Sequence, residues 1–311
     1  QMKFRHTYHF YAGITIFGWA LAYPFTRLCL QYFSSFGLAA FRYLIASALL
    51  TPVILIGKVK PPRRQDLGWF LLSGALGFSL YILFFNKGGK TVTAATGSLI
   101  VATTPIITAF LARIFCKERL LAYQWFAIGI EFTGLLLILF LNDGSSLPLG
   151  VLWMLGAAIW LACYNLLQRR LAKRYSPMQC SVYSIFAGTL FLLPFAPQGL
   201  SQGYNAPVLQ ICYILILALF PSAFAYITWT KALVKAEKTS YVSNYMFLTP
   251  LLASLLGFLL LRELPDAATL WGGFVILLGI VLFYQKDLQE AWQKHSRQKP
   301  KSSKQIQATK Q

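Results

Sequence analysis

The sequence predicts an all-α integral membrane protein, with ten transmembrane helices arranged as two inverted five-helix repeats and both termini cytoplasmic. Three observations lead there. Of the 311 residues, 57% are hydrophobic and 12% charged, about half the charge of an ordinary soluble domain. The apolar residues gather into ten runs, at 10–30, 36–56, 68–86, 93–115, 121–141, 147–167, 178–196, 208–230, 241–261 and 268–285, each near the ~20 residues that cross a bilayer. Finally, the stretch Thr93 to Glu118 returns as Lys238 to Glu263. Thr104-Pro105 becomes Thr249-Pro250, Ser98 becomes Ser243, Lys117 becomes Arg262 and Glu118 becomes Glu263, with the same 13-residue step from proline to carboxylate (118 − 105, 263 − 250).

Helices are the default for these runs because lipid offers no partner to an unpaired backbone group. A barrel would need polar and apolar residues to alternate over ~10-residue segments, and they do not. Taken in order, the chain divides into an N-terminal segment 1–9, a first repeat 10–141, a linker 142–147, a second repeat 148–285 and a tail 286–311. The first run follows Lys3 and Arg5 as a signal peptide would, but it is too long, lacks a small-residue cleavage site and holds Trp19, Tyr23 and Pro24. It reads as a retained helix. Lys58 to Asp66, with Pro61-Pro62, reads as a basic loop, and Ala196 to Pro207 as a loop turned by Gly199, Gly203 and Pro207. The tail carries 7 basic and 2 acidic residues and loses its apolar content from Gln293. Disorder is its default, with attraction to anionic lipid headgroups.

The net charge of +19 is placed by side. With the N-terminus inside, the inner segments hold 23 of the 28 Lys and Arg, Arg42 lies within a span, and only Arg27, Lys87, Lys90 and Arg262 lie outside. That is the positive-inside asymmetry of a multi-pass plasma-membrane protein, a bacterial inner membrane fitting best. It argues against nucleic acid as the partner of this charge. A unit of five helices is odd, so the second repeat enters the membrane in the opposite orientation, as in many transporters with a central site open to alternating sides.

The five cysteines are scattered singly and the three histidines (His6, His9, His295) lie toward the termini. No metal site, no cofactor and no nucleophilic triad is expected. Gly89-Lys90-Thr91 imitates the end of a phosphate loop, but Phe84 stands where the partner glycine belongs.

The chemistry must therefore sit in polar and aromatic residues of the spans. Trp19 and Tyr23 are spaced i, i+4, as are Trp160 and Tyr164, so each pair shares a helix face that Arg27 and Gln168 extend. Core packing and substrate lining are both open for these rings. Ser98, Thr103, Asn165, Tyr226, Ser243, Asn244 and Tyr245 are further lining candidates, each equally able to bridge two helices. Glu131 lies mid-span, where a carboxylate must be paired or protonated; it is a coupling candidate or a structural partner of Arg42. Pro105 and Pro250 are expected to kink their helices as symmetry-related hinges.

Gly18-Trp19 with Pro24, Phe41-Arg42, the small-residue run 94–98 leading to Thr104-Pro105, Glu118-Arg119, Gly129 and Gly134 follow one another in the first half. Ala157-Ala158-Ile159-Trp160, Thr239-Ser240, Thr249-Pro250, Arg262-Glu263, Gly272-Gly273 and Gly279 follow in the second. This ordered set, spanning residues 10–285, resembles the drug/metabolite transporter superfamily, in particular its EamA-type ten-helix carriers. The resemblance implies a carrier of small metabolites with a central cavity lined by both halves. Two departures stand out. Asn86-Lys87-Gly88-Gly89-Lys90 occupies the place where the second half has the family's Ala232-Leu233, and Glu131 interrupts an otherwise apolar helix.

The expected activity is secondary transport of a small organic solute (amino acid, nucleoside or drug-like molecule) by alternating access, without catalysis. A lipid or lipid-linked sugar translocator is the alternative, and an intramembrane enzyme a remote one. The expected partners are that solute and membrane lipids, with monomer and homodimer both open.

Overall fold

A computed structural model describes residues 7–115, 121–141, 147–235, 244–283, 285–286 and 289. Helices account for nearly all of them, and no strand occurs among the described residues. The first half contains α1 (Thr7–Leu30), α2 (Ser35–Ile56), α3 (Leu67–Gly74), α4 (Tyr81–Gly89), α5 (Ala94–Val101), α6 (Thr104–Phe115) and α7 (Ala122–Phe140). The second contains α8 (Leu147–Leu171), α9 (Pro177–Leu192), α10 (Ala196–Tyr204), α11 (Val208–Leu217), α12 (Ala225–Lys235), α13 (Thr249–Leu261) and α14 (Ala267–Phe283).

Seven helical stretches are long and apolar enough to cross a membrane, the longest being Arg64–Gly89 and Met178–Tyr204. Thr249–Leu261 and Ala267–Phe283 are shorter apolar helices. The outer surface is as apolar as the interior: Phe126, Phe132, Phe140, Trp271 and Phe274 are each more than half exposed. In water such a surface would be an aggregation site, whereas in lipid it is the solvated face.

Three expectations are corrected. The segment from Ala196 is helical through Tyr204, not a loop. Its glycines serve close packing: a Cβ at Gly199 would meet the Gly37 carbonyl at 2.6 Å, and one at Gly203 the Phe41 ring at 2.6 Å. Gln202 Oε1 then accepts from the Ser34 amide at 3.2 Å, fastening α10 to the start of α2.

The prolines do not kink continuous helices either. The span 94–115 is broken at Ala102-Thr103, and Pro105 is the second residue of the new helix α6; Pro250 likewise is the second residue of α13. Proline is at home in a first turn, where its missing N–H has no intrahelical partner to lose. The repeated Thr-Pro therefore starts half-helices instead of bending whole ones.

His9, expected with the terminal segment, belongs to the first turns of α1 and hydrogen-bonds the Tyr245 hydroxyl. Cys116, Glu118, the linker through Ser146, Thr239-Ser240, Ser243 and most of the tail lie outside the described residues.

The two ends of the bundle are held by different groups. At one, Asp66 accepts from the Tyr175 hydroxyl at 2.6 Å and sits 3.4 Å from Arg174 Nη1. The carboxylate bond holds the Tyr175 hydroxyl above its ordinary pKa. Arg63, Arg170 and Gln179 gather at this end too, through Tyr175, Trp69 and the Lys60 carbonyl. Arg27, Lys87, Lys90 and Glu263 lie at the other.

α7 and α14 meet along glycines. A Cβ at Gly134 would stand 2.7 Å from the Gly272 carbonyl, whereas one at Gly129 would touch nothing within 4 Å. Gly134→Ala is expected to cost about 1–3 kcal/mol by overpacking, and Gly129→Ala to gain about 0.5–1 kcal/mol from helix propensity. Thermal unfolding of the two purified variants checks this; equal Tm values would refute the seam.

Candidate functional site

Each half contains one widened turn. Ala75–Leu80 between α3 and α4, and Ala218–Phe224 between α11 and α12, are π-helical. Such turns leave backbone carbonyls poorly matched, and they recur at functional sites. Here a serine restores the match in both. Ser79 Oγ donates to the Gly74 carbonyl at 3.4 Å, and Ser222 Oγ to the Leu217 carbonyl at 2.9 Å, each reaching back five residues. Ser79 has one proton, which it shares between the Gly74 carbonyl and the nearer Gly188 carbonyl of α9 at 2.9 Å, and Pro221, which has no N–H to place, occupies the second turn.

Arg42 of α2 meets the second π turn. It is 4% exposed; its Nε donates to Ser222 Oγ at 2.7 Å, and its guanidinium carbon lies 5.6 Å from the Tyr43 ring centre. Its Nη1 is buried without a partner. Aromatic rings close around it. Tyr43, Tyr164 and Tyr226 all pack on Phe78 at centroid distances of 5.7, 5.2 and 5.3 Å. Trp19 packs on Tyr226 at 5.8 Å and Trp229 at 5.0 Å, and Tyr23 on Phe85 at 5.2 Å.

A guanidinium presents five N–H donors, and burying a charge without its counter-charge costs several kcal/mol. The cluster is thus a cationic centre in an aromatic wall, complementary to a carboxylate attached to an apolar or planar group.

The sequence-predicted residues distribute unevenly around it. Trp19, Tyr164 and Tyr226 join the rings that lead to Arg42, while Tyr23 packs on Phe85. Trp160 packs instead on Phe84 at 6.1 Å. Ser98 and Thr103 turn their hydroxyls to the carbonyls of Ala95 and Ile100, both at 2.7 Å within their own segment. Asn165 donates to Thr108 Oγ1 at 3.4 Å, bridging α8 and α6, while Tyr245 engages His9. Asn244 lies in a short 3-10 turn, and its side chain is outside the described set, as is Ser243.

Glu131 is buried in the α7–α14 seam, its Cγ 2.8 Å from where a Cβ on Gly279 would stand, and its Oε1 has no hydrogen-bond partner. No ion pair joins Glu131 and Arg42 among the described residues, because Arg42 is directed to Ser222 and Glu131 faces α14. Sequence reading missed Ser79, Ser222 and Phe78. The signal for the serines was their matching place in the third helix of each half.

A second feature lies at one end of the bundle. Arg27 Nη1 is 2.6 Å from Glu263 Oε1, and Glu263 Oε2 accepts from the Ala94 amide at 3.1 Å. The carboxylate thereby joins α1, the first turn of α5 and the end of α13. Arg262 makes this possible: its left-handed backbone (φ 54°) ends α13 and turns the chain so that Glu263 points back, a conformation that costs a non-glycine residue energy.

An all-helical chain with long apolar spans, a lipid-compatible surface and a buried cationic-aromatic centre is a multi-pass membrane transport protein. A model of the EamA-like transporter family matches it twice, at residues 6–140 and 148–285, and the chain belongs to that family. It is 30% identical over 275 residues to a probable terminal-alkyne amino-acid exporter of Streptantibioticus cattleyicolor, covering 88% of this chain and 92% of that one. It is 32% identical over 271 residues to the uncharacterized transporter YdfC of Bacillus subtilis (strain 168), covering 86% and 88%. A solved crystal structure shares the fold at 17% identity with a TM-score of 0.58, over 90% of this chain and 97% of the other. The family consists of transporters, and small molecules are the substrates its members imply.

Glu263→Gln removes the charge at the clasp and keeps an acceptor for Ala94. A charged hydrogen bond contributes about 1.5–3 kcal/mol, so opening of that end should rise about tenfold. Cys29, fully buried two residues from Arg27, is a native reporter. Its alkylation by N-ethylmaleimide, followed by mass spectrometry, should accelerate to that extent; an unchanged rate would remove the clasp from the opening step.

Proposed function

We propose that this transporter carries small carboxylate-bearing organic solutes, amino acids foremost, by alternating access around Arg42. The observation that carries the reading is the buried guanidinium with an unpartnered Nη1, set beside Tyr43, whose ring shares Phe78 with Tyr164 and Tyr226. The naming of one relative as a probable amino-acid exporter agrees with it. We further propose that the halves are inverted repeats with cytoplasmic termini. The double family match and the charge asymmetry support this, and the odd number of helices per repeat inverts the second copy.

In this cycle the solute's carboxylate takes the bidentate place on Arg42, and its side chain displaces ring contacts of Tyr226 and Tyr164. The broken spans at Thr104 and Thr249 supply the joints, since half-helices move with little loss of internal bonding.

Flux of radiolabelled amino acids into proteoliposomes tests the reading, with the matching decarboxylated amines as competitors. Arg42→Gln should lower uptake on the order of a hundredfold, and Arg42→Lys should recover only part of it, because an ammonium lacks the planar fork. Competition by the amines equal to that by the amino acids, or full transport in Arg42→Gln, would overturn it.

Glu131 is the proposed coupling group, a lone buried carboxyl within a span. Glu131→Gln should abolish accumulation driven by a pH gradient while sparing solute exchange. Accumulation that persists in this variant would sink the coupling role and leave the Arg42 site untouched.

A further inference from the structure

The end of the bundle that bears Arg27 and Glu263 also holds a cavity of about 350 Å³, apart from the Arg42 cluster. Its walls come from the turn before α2, the end of α4 and the start of α8, with Ser35, Phe36, Lys87, Lys90, Leu149 and Trp153 among them. Lys87 is half-buried, with its Nζ 4.5 Å from the Trp153 ring centre and 5.4 Å from that of Phe36. Lys90, one turn further, is exposed. No carboxylate lines the cavity among the described residues.

Two features give this space one sign of charge. The two ammonium groups supply it directly. The first turns of α2 and α8, helices of 22 and 25 residues, open onto the same space and add the positive ends of their dipoles. Ser35 belongs to the cavity wall, and its Oγ is buried without a hydrogen-bond partner. Trp153, Phe36 and Leu149 supply an apolar wall beside the charges. The lysines are held in place by packing: the Gly88 backbone lies against Met154, where a Cβ would meet the side chain at 2.7 Å, and Asn86 donates to the Ser35 carbonyl at 2.9 Å.

We infer that this cavity is a second binding site, which takes the anionic group of an amphiphile, a carboxylate or a phosphodiester, on Lys87 and Lys90, with its apolar part against Trp153. A solute waiting at the mouth of the pathway and a lipid headgroup present the same chemistry, and the two are separated by probe. The site does not depend on the Arg42 reading.

The test uses the full-length protein in dodecyl maltoside, titrated with phenylacetate and separately with dihexanoyl phosphatidylglycerol, and reads tryptophan fluorescence against Trp153→Phe. A saturable change that requires Trp153 is expected, weakened about tenfold or more in Lys87→Gln and unchanged in Arg42→Gln. Saturation by phenylacetate alone assigns the site to free carboxylates, by the lipid alone to headgroups; either supports an anion site. Absence of a Trp153-dependent change with both probes overturns it, as does equal affinity in Lys87→Gln. Loss in Arg42→Gln with retention in Lys87→Gln places the binding at the central cluster and equally overturns it. Lys90→Gln, at an exposed position, repeats the measurement should Lys87→Gln lower the thermal stability.

Discussion

The hydrocarbon interior offers nothing to a free N–H or C=O, so a chain that interrupts a helix inside it must find another partner for the groups released. This protein interrupts its spans repeatedly, and at each place the substitute can be named. Ser79 and Ser222 reach back across the two π turns. Thr103 returns both its amide and its hydroxyl to the Ile100 carbonyl where the span 94–115 breaks. Glu263 takes the amide of Ala94 at the start of α5. The same substitution seats the charge at the centre, since the hydroxyl that closes the second π turn is the one that accepts from Arg42. Irregular backbone and buried cation are therefore one arrangement.

That arrangement is connected along a single face of α1. Trp19, Tyr23 and Arg27 follow one another at helical spacing, and each touches a different part of the bundle: Trp19 the rings of Tyr226 and Trp229, Tyr23 the ring of Phe85, and Arg27 the carboxylate of Glu263. These contacts lie on one helix, α1, with Pro24 between Tyr23 and Arg27, where one intrahelical bond is missing. In the transport cycle proposed above, a solute that separates Trp19 from Tyr226 also acts on the Arg27 clasp. The coupling then has a physical carrier, one helix held by contacts at two places.

Much of this was legible in the residues alone. Apolar run lengths located the helical spans, because the bilayer's thickness sets a single length scale, and the i, i+4 aromatic pair of α1 did mark part of the central cluster. What escaped was set by tertiary packing. Ala196–Tyr204 contains two glycines, Gly199 and Gly203, that read as turn formers, yet they let α10 lie against Phe41. Ser98 and Thr103 looked like lining residues from their polarity, but a hydroxyl within a helix can always bond the preceding turn. Trp160 mirrors Trp19 in sequence without mirroring its neighbours, since α8 meets Phe84 there. The π turns carried no periodicity signal; only the equivalent placement of Ser79 and Ser222 in the two halves could have suggested them.

The duplication preserves geometry more faithfully than chemistry. The stripe Trp19, Tyr23, Arg27 corresponds to Trp160, Tyr164, Gln168, so an amide stands in the second half where the first has a guanidinium. Gln168 donates to Ser73 and Ser184, both at 3.1 Å, and those hydroxyls lie 2.9 Å apart. The equivalent stripe positions thus lead to an ion pair whose members are 24% and 18% exposed in one case and to neutral hydrogen bonds among buried hydroxyls in the other, with the Asp66–Arg174 pair further along that second end. Screening by salt weakens the first and hardly touches the second. A neutral network is also less costly to desolvate each time it re-forms than a charged one. The positions of Arg27 and Gln168 are therefore held by bonds of different strength and different salt sensitivity.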